Sequence, residues 1–140
     1  MTTFFRTLVA VVVGVFNALI LLIGVELFSA VVHPVPPDFG GTMAEMCQHV
    51  ARYPQWVLAV VVPAWGATAF LSTWTARKIG NRGSGLFIGF LLLSAVVFNV
   101  TQLPYPIWFK IVILIVVPAA IFLGGRQTAD RQLSGGNELD

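Results

Sequence analysis

Residues 7–25 read TLVAVVVGVFNALILLIGV, an uncharged run whose one strongly polar side chain is Asn17. At 1.5 Å per helical residue such a run spans about 28 Å, close to the roughly 30 Å hydrocarbon thickness of a bilayer. Mostly apolar residues extend it to 4–32, with Arg6 at one end and Glu26 as the only other charge. The apolar core of a secretory signal is only about 7–15 residues long. No A-x-A pattern follows this run, so it is expected to be an uncleaved first membrane helix. His33-Pro34-Val35-Pro36-Pro37 ends it, because proline lacks a backbone donor and disfavours helix at the residue before it.

Three further runs repeat this character, over 55–76, 85–102 and 107–124, the last with Lys110 near its start. Without water to satisfy backbone groups, helices are the economical way to cross lipid, and the alternation of a membrane barrel is absent. The composition agrees. Of 140 residues 57% are hydrophobic and 10% charged, with a mean hydropathy of +0.87, whereas soluble domains carry about 25% charged residues. The expected fold is all-α, a four-helix transmembrane bundle of two hairpins. The Gly124-Gly125 pair is expected to end the last helix, leaving 126–140 as a polar, disordered cytoplasmic tail after a membrane domain of 1–125.

The net charge of +2 does not point to nucleic acid, since the basic residues lie in short loops beside apolar runs and form no basic patch or stripe. Arg6, Arg77, Lys78, Arg82, Arg126 and Arg131 fall at one end of the bundle, Arg52 and Lys110 at the other. The positive-inside rule assigns the first end to the cytoplasm. Both termini are then cytoplasmic, and the expected location is a bacterial inner membrane. Tyr53, Trp56, Tyr105 and Trp108 form an interfacial aromatic belt at the other, outer end. A lone cysteine, Cys47, permits no intrachain disulfide.

The outer loop between the first two spans carries structure of its own. Thr42-x-x-Glu45 matches a capping box, and Met43, Met46, Cys47 and Val50 share one helical face, opposite Glu45, His49 and Arg52. A short amphipathic helix over 43–52, lying on the membrane surface, is predicted. An internal repeat is also legible. Tyr53-Pro54-Gln55-Trp56 and Tyr105-Pro106-Ile107-Trp108 each open a span, and each is followed by Val-Pro-Ala, at 62–64 and 117–119. Two parallel hairpins related by an axis along the membrane normal would give this pattern; so would the ordinary preference of aromatics and proline for helix ends. Pro63 and Pro118 are expected to kink their helices.

Few residues can carry chemistry. Glu26 is the only acid inside a span, and an ionisable group in lipid points to function by default. It lies about 10 Å below the outer helix end at 1.5 Å per residue, a depth similar to that of Lys110, so a structural ion pair between the first and last helices is the main expectation and a proton- or cation-coupling carboxylate the alternative. His33, Asn99 and Gln102 fall in the same layer and complete a polar outer cluster. His33, Met43, Met46, Cys47 and His49 form a soft-ligand set of the kind that suits copper(I), but the thioethers and thiol are also the apolar face a surface helix needs, so no metal site is assigned. No phosphate loop, cofactor motif or nucleophile–base arrangement is present, and enzymatic activity is not expected.

The signature Glu26…His33-Pro34-x-Pro36, Tyr53-Pro54, and Asn99-x-x-Gln102-x-Pro104-x-Pro106-x-Trp108-Phe109 resembles small bacterial four-helix integral membrane proteins with no established activity. The resemblance implies the topology and draws attention to the outer helix ends. Small multidrug exporters share the size and a glutamate in the first helix, but they carry the acid nearer mid-span and lack a helix in the outer loop; their activity is not carried over. The leading expectation is a non-enzymatic accessory or scaffold protein. Its partners would be the lipid bilayer and either a second copy or a larger membrane protein, with Gly85-x-x-x-Gly89 as a contact face. The alternative is an oligomeric small transporter of protons or small cationic or apolar solutes using Glu26, with Pro63 and Pro118 as hinges.

Overall fold

The computed structural model describes the backbone over residues 2–134 and the side chains over 3–126. Its helices are α1 (Thr2–Val32), α2 (Met43–Ala51), α3 (Gln55–Ile79), α4 (Arg82–Gln102) and α5 (Ile107–Ser134), with no strand among the described residues. α1, α3, α4 and α5 are each long and apolar enough to cross a membrane. The fold is thus the expected all-α bundle of four long helices with a short extra helix in the first loop.

α3 is the central element and packs against α1, α4 and α5. α4 also touches both flanking helices, whereas α1 and α5 are not packed on each other. Close approaches at small residues set these directions. A Cβ on Gly14 of α1 would lie 2.9 Å from Ile88 of α4 and 3.0 Å from Ala76 of α3. One on Gly66 of α3 would lie 2.9 Å from Val116, and one on Gly124 of α5 would lie 2.6 Å from the Phe70 carbonyl oxygen. Rising numbers pair with rising numbers between α3 and α5, so these two run parallel, while α1 and α3 are antiparallel.

The burial pattern is the one lipid selects. Phe4, Phe16, Val31, Phe90 and Ile107 are exposed, while Ser29, Thr68, Ser72, Thr73 and Ser84 are buried beside the apolar core of Leu58, Ile88, Val96 and Val117. Apolar side chains facing outward have no penalty in hydrocarbon, and small hydroxyl residues let helix backbones approach closely. Thr68 Oγ1 donates to the Ala64 carbonyl at 2.9 Å. The hydroxyls of Ser72 and Thr73 have no partner.

Several boundaries differ from expectation. α4 begins three residues early because Asn81 caps it, its Oδ1 accepting from the Ser84 amide at 3.0 Å. α5 continues through Gly124-Gly125 to Ser134. A glycine inside a helix costs only about 1 kcal/mol, and Gly124 is the residue that lets α5 lie against the α3 backbone. The expected disordered tail lies, from residue 135 onward, outside the described residues. α3 and α5 are continuous through Pro63 and Pro118. Gly85 and Gly89, expected to face a partner, are both buried: a Cβ on Gly85 would meet Arg77, and one on Gly89 would lie 2.6 Å from Ile121. That stripe is spent on α3 and α5.

Candidate functional site

The candidate site is assembled at the end of the bundle that carries α2. Here α1 finishes, α3 and α5 begin, and α4 ends. Thr42 and Glu45 form the predicted capping box. The Glu45 amide bonds Thr42 Oγ1 at 3.3 Å, and Glu45 Oε2 accepts from the Thr42 amide at 3.0 Å, from its hydroxyl at 2.8 Å and from the Gly40 amide at 3.1 Å. The Thr42 bonds hold the Glu45 carboxyl below its usual range, against an opposing effect of desolvation and with a smaller contribution from the Gly40 amide. Gly41, at φ +79°, supplies the left-handed turn that brings the chain into this cap.

α2 is seated by aromatic contacts. His49 is buried, and it lines one surface groove with Glu45 and Arg52, the residues that helical spacing puts on its face. Its ring stacks on His33 with centroids 4.4 Å apart and planes inclined by 21°, and Tyr53 lies 4.7 Å from His33 and 5.4 Å from His49. His33 Nε2 donates to the His49 carbonyl at 3.3 Å, which requires the proton on that nitrogen. Burial, and then the nearby His33, lower the His49 pKa. The burial of His49 is tertiary in origin: the ring of His33, at the end of α1, meets α2. Cys47 goes the other way, with Sγ 4.0 Å from the Gln102 carbonyl of α4. Of the soft-ligand set, Met43, Met46 and His49 line one groove, whereas Cys47 is absent from its lining.

Beneath α2 lies the feature with chemical content. A small cavity of about 40 Å³ is enclosed by α1, α3, α4 and α5, and the polar groups among its lining residues are Glu26, Ser29, Tyr53, Asn99, Tyr105 and the Trp65 indole. It is floored by apolar residues such as Leu58, Val96 and Ile113. An adjoining groove of about 280 Å³ shares Glu26, Tyr53, Asn99 and Tyr105, and adds Met43, Met46, His49 and Gln102. Glu26 itself stays exposed at this shared mouth. Burial pushes the Tyr105 phenol up to about 12, with the charges of Tyr53 and Glu26 adding to it. Tyr53 is raised for the same first reason and also by Glu26, while Ser29 opposes the shift. Both phenols are thus protonated O–H donors at neutral pH.

The expected Glu26–Lys110 ion pair is not formed. α1 and α5 are not packed on each other and each contacts α3 and α4 instead, which keeps the two charges apart. Of the expected cluster, Glu26 and Asn99 share the cavity, Gln102 lines only the groove, His33 belongs to the histidine stack, and Lys110 lines neither space. Ser29, Tyr53 and Tyr105 were not foreseen as members of this site. The signal for the tyrosines was the repeated Tyr-Pro-x-Trp motif, which brings its two copies together: Trp108 Nε1 of the second donates to Gln55 Oε1 of the first at 2.6 Å. No family model matches the chain, and no curated protein or solved structure shows significant similarity to it.

Proposed function

We propose that the chain is a non-enzymatic, multi-pass protein of a bacterial inner membrane, with both termini cytoplasmic, that binds and passes protons or small hydrated cations through Glu26. The observation that carries this reading is a carboxylate within an apolar span that forms no salt bridge among the described residues and lines a polar cavity. A carboxylate in lipid is retained at a free-energy cost. With Lys110 elsewhere, that cost has no structural return. A volume of about 40 Å³ accommodates one or a few waters, which need roughly 10–15 Å³ each by this measure. Unlike the adjoining groove of about 280 Å³, this inner cavity is too small for an organic solute, which favours the proton and small cations there. Asn99 and the two phenols are neutral groups that would orient water at the carboxylate without cancelling its charge.

The test is reconstitution into liposomes containing a pH-sensitive dye, with an imposed pH gradient. The wild-type protein is expected to dissipate the gradient at least about tenfold faster than Glu26→Gln, while Lys110→Met behaves as wild type. Equal rates for wild type and Glu26→Gln would remove the reading. A second reading, an accessory or scaffold protein, draws on α1. Only 17% of its spanning window is buried, and Phe5, Val12, Phe16, Leu19, Ile23 and Leu27 leave a continuous exposed stripe along it. That reading would then stand, with a second copy or a larger membrane protein as its partner.

A further inference from the structure

The opposite, basic end of the bundle holds a larger cavity that plays no part in the Glu26 site. It occupies about 500 Å³ between α4 and α5, with α3 as its floor. At its mouth stand Arg77, Arg82 and Arg126, one from each helix. Deeper, its walls are Leu86, Phe90, Leu93, Pro118, Ile121 and Phe122. No carboxylate lines it among the described residues. From Arg82 to Leu93 the groove follows α4 for roughly 16 Å at 1.5 Å per residue. That is about one leaflet, half of a hydrocarbon core of roughly 30 Å. A cationic mouth at the interface above an apolar trench one leaflet deep has the shape and charge order of a phospholipid.

A second observation points the same way. Thr73 lines this cavity, is 2% exposed, and its hydroxyl has no hydrogen-bond partner. A buried hydroxyl left unpaired is costly, and in a helix the usual remedy is the carbonyl one turn back, which Thr68 uses and Thr73 does not. We infer that the groove is a binding site for an anionic phospholipid, with the headgroup phosphate held by Arg77, Arg82 and Arg126, an ester or glycerol oxygen met by Thr73 Oγ1, and an acyl chain along Leu86, Phe90, Leu93 and Phe122. Arginine suits this place, because its planar fork matches two phosphate oxygens at once. Basic pockets between membrane helices at the cytoplasmic face take lipid headgroups by this chemistry.

The experiment is native mass spectrometry of the full chain in a zwitterionic detergent, titrated with phosphatidylglycerol or with phosphatidylcholine of the same acyl chains. Phosphatidylglycerol is expected to bind at least about tenfold more tightly. The Arg82→Gln/Arg126→Gln double variant should lose most of that preference, at about fivefold for each arginine removed. Thr73→Val, nearly isosteric, should weaken phosphatidylglycerol by about threefold and leave helicity unchanged. Arg52→Gln, a charge loss at the far end, should change nothing. Equal binding of the two lipids by wild type overturns the inference, and so does a preference that survives in the double variant or an equal loss in Arg52→Gln. Glycerol 3-phosphate competing at the lipid's own concentration would also overturn it, since the trench would then contribute nothing. If the double variant fails to fold, the wild-type lipid preference and Thr73→Val decide the matter.

Discussion

At the scale of single residues, the stacked pair of His33 and His49 couples the seating of α2 to pH. The His49 ring is held between His33 and Tyr53, and Asp38, Glu45 and Arg52 line the adjoining surface with them. Its pKa in the folded protein is lowered from the ordinary 6.5, by burial first and by the charge of His33 second. A depressed histidine favours the neutral ring, so its contribution is fully present above about pH 6.5 and is lost as pH falls through the folded value. Glu45 has the same sign in a lower window. Its carboxyl sits below 4.5 through its bonds to Thr42, and the cap it forms survives until pH falls through that lowered value. The expected outcome is a thermal midpoint in detergent that declines from pH 7.5 to 5.5 in the wild type. His49→Phe, which keeps a ring against His33 and Tyr53 but cannot titrate, should flatten that decline. An unchanged slope in His49→Phe would assign the dependence to another group.

At the scale of elements, the bundle is held by glycines that are not interchangeable. A Cβ on Gly124 would stand 2.6 Å from a backbone oxygen of Phe70, with no flexible side chain to yield, whereas one on Gly24 meets nothing within 4 Å. Gly124→Ala should therefore force α5 off α3 and destabilise by about 1–3 kcal/mol, the usual range for overpacking. Gly24→Ala should stabilise by about 0.5–1 kcal/mol, through helix propensity alone. Equilibrium unfolding in mixed micelles would measure both, and two shifts of the same sign would refute the packing argument. The contrast also shows what was legible beforehand. The α2 capping box was readable because every contact lies within three residues of Thr42. The spans were readable because lipid imposes apolar length on any sequence. Which glycine touches what was not, since Gly85-x-x-x-Gly89 and Ala10-x-x-x-Gly14-x-x-x-Ala18 look alike as text and both turned out to be internal contacts.

At the scale of the whole molecule, the Glu26 site shows where a one-dimensional reading stops. Counting residues along each span gives an approximate depth, and Glu26, Asn99 and Gln102 do line one groove, but counting does not fix the angular order of helices. The ion pair failed because α3 lies at the centre, and Tyr53 and Tyr105 entered because the parallel pair α3 and α5 begins beside Glu26. Both functional readings depend on which membrane face that layer occupies. If Arg77, Lys78, Arg82 and Arg126 are cytoplasmic, the α2 end faces outward, protons enter Glu26 from outside, and the lipid groove opens to the inner leaflet. The chain carries its own reporter, because Cys47 is its one cysteine, partly exposed, and sits on α2. A membrane-impermeant maleimide added to intact spheroplasts should label the wild-type protein and leave Cys47→Ser unlabelled. Moving the thiol to the first turn of α4, as Cys47→Ser/Gly83→Cys, should abolish labelling until the membrane is opened. Gly83 is exposed beside Arg82, among the charges that the positive-inside rule counts, and a Cβ there would lie 3.1 Å from the capping Asn81 Oδ1, so the helicity of the variant is checked first. Labelling of the Gly83→Cys thiol in closed spheroplasts, with Cys47 protected, would invert the molecule. The carboxylate would then draw its protons from the cytoplasm, and the arginine-lined groove would face the outer leaflet.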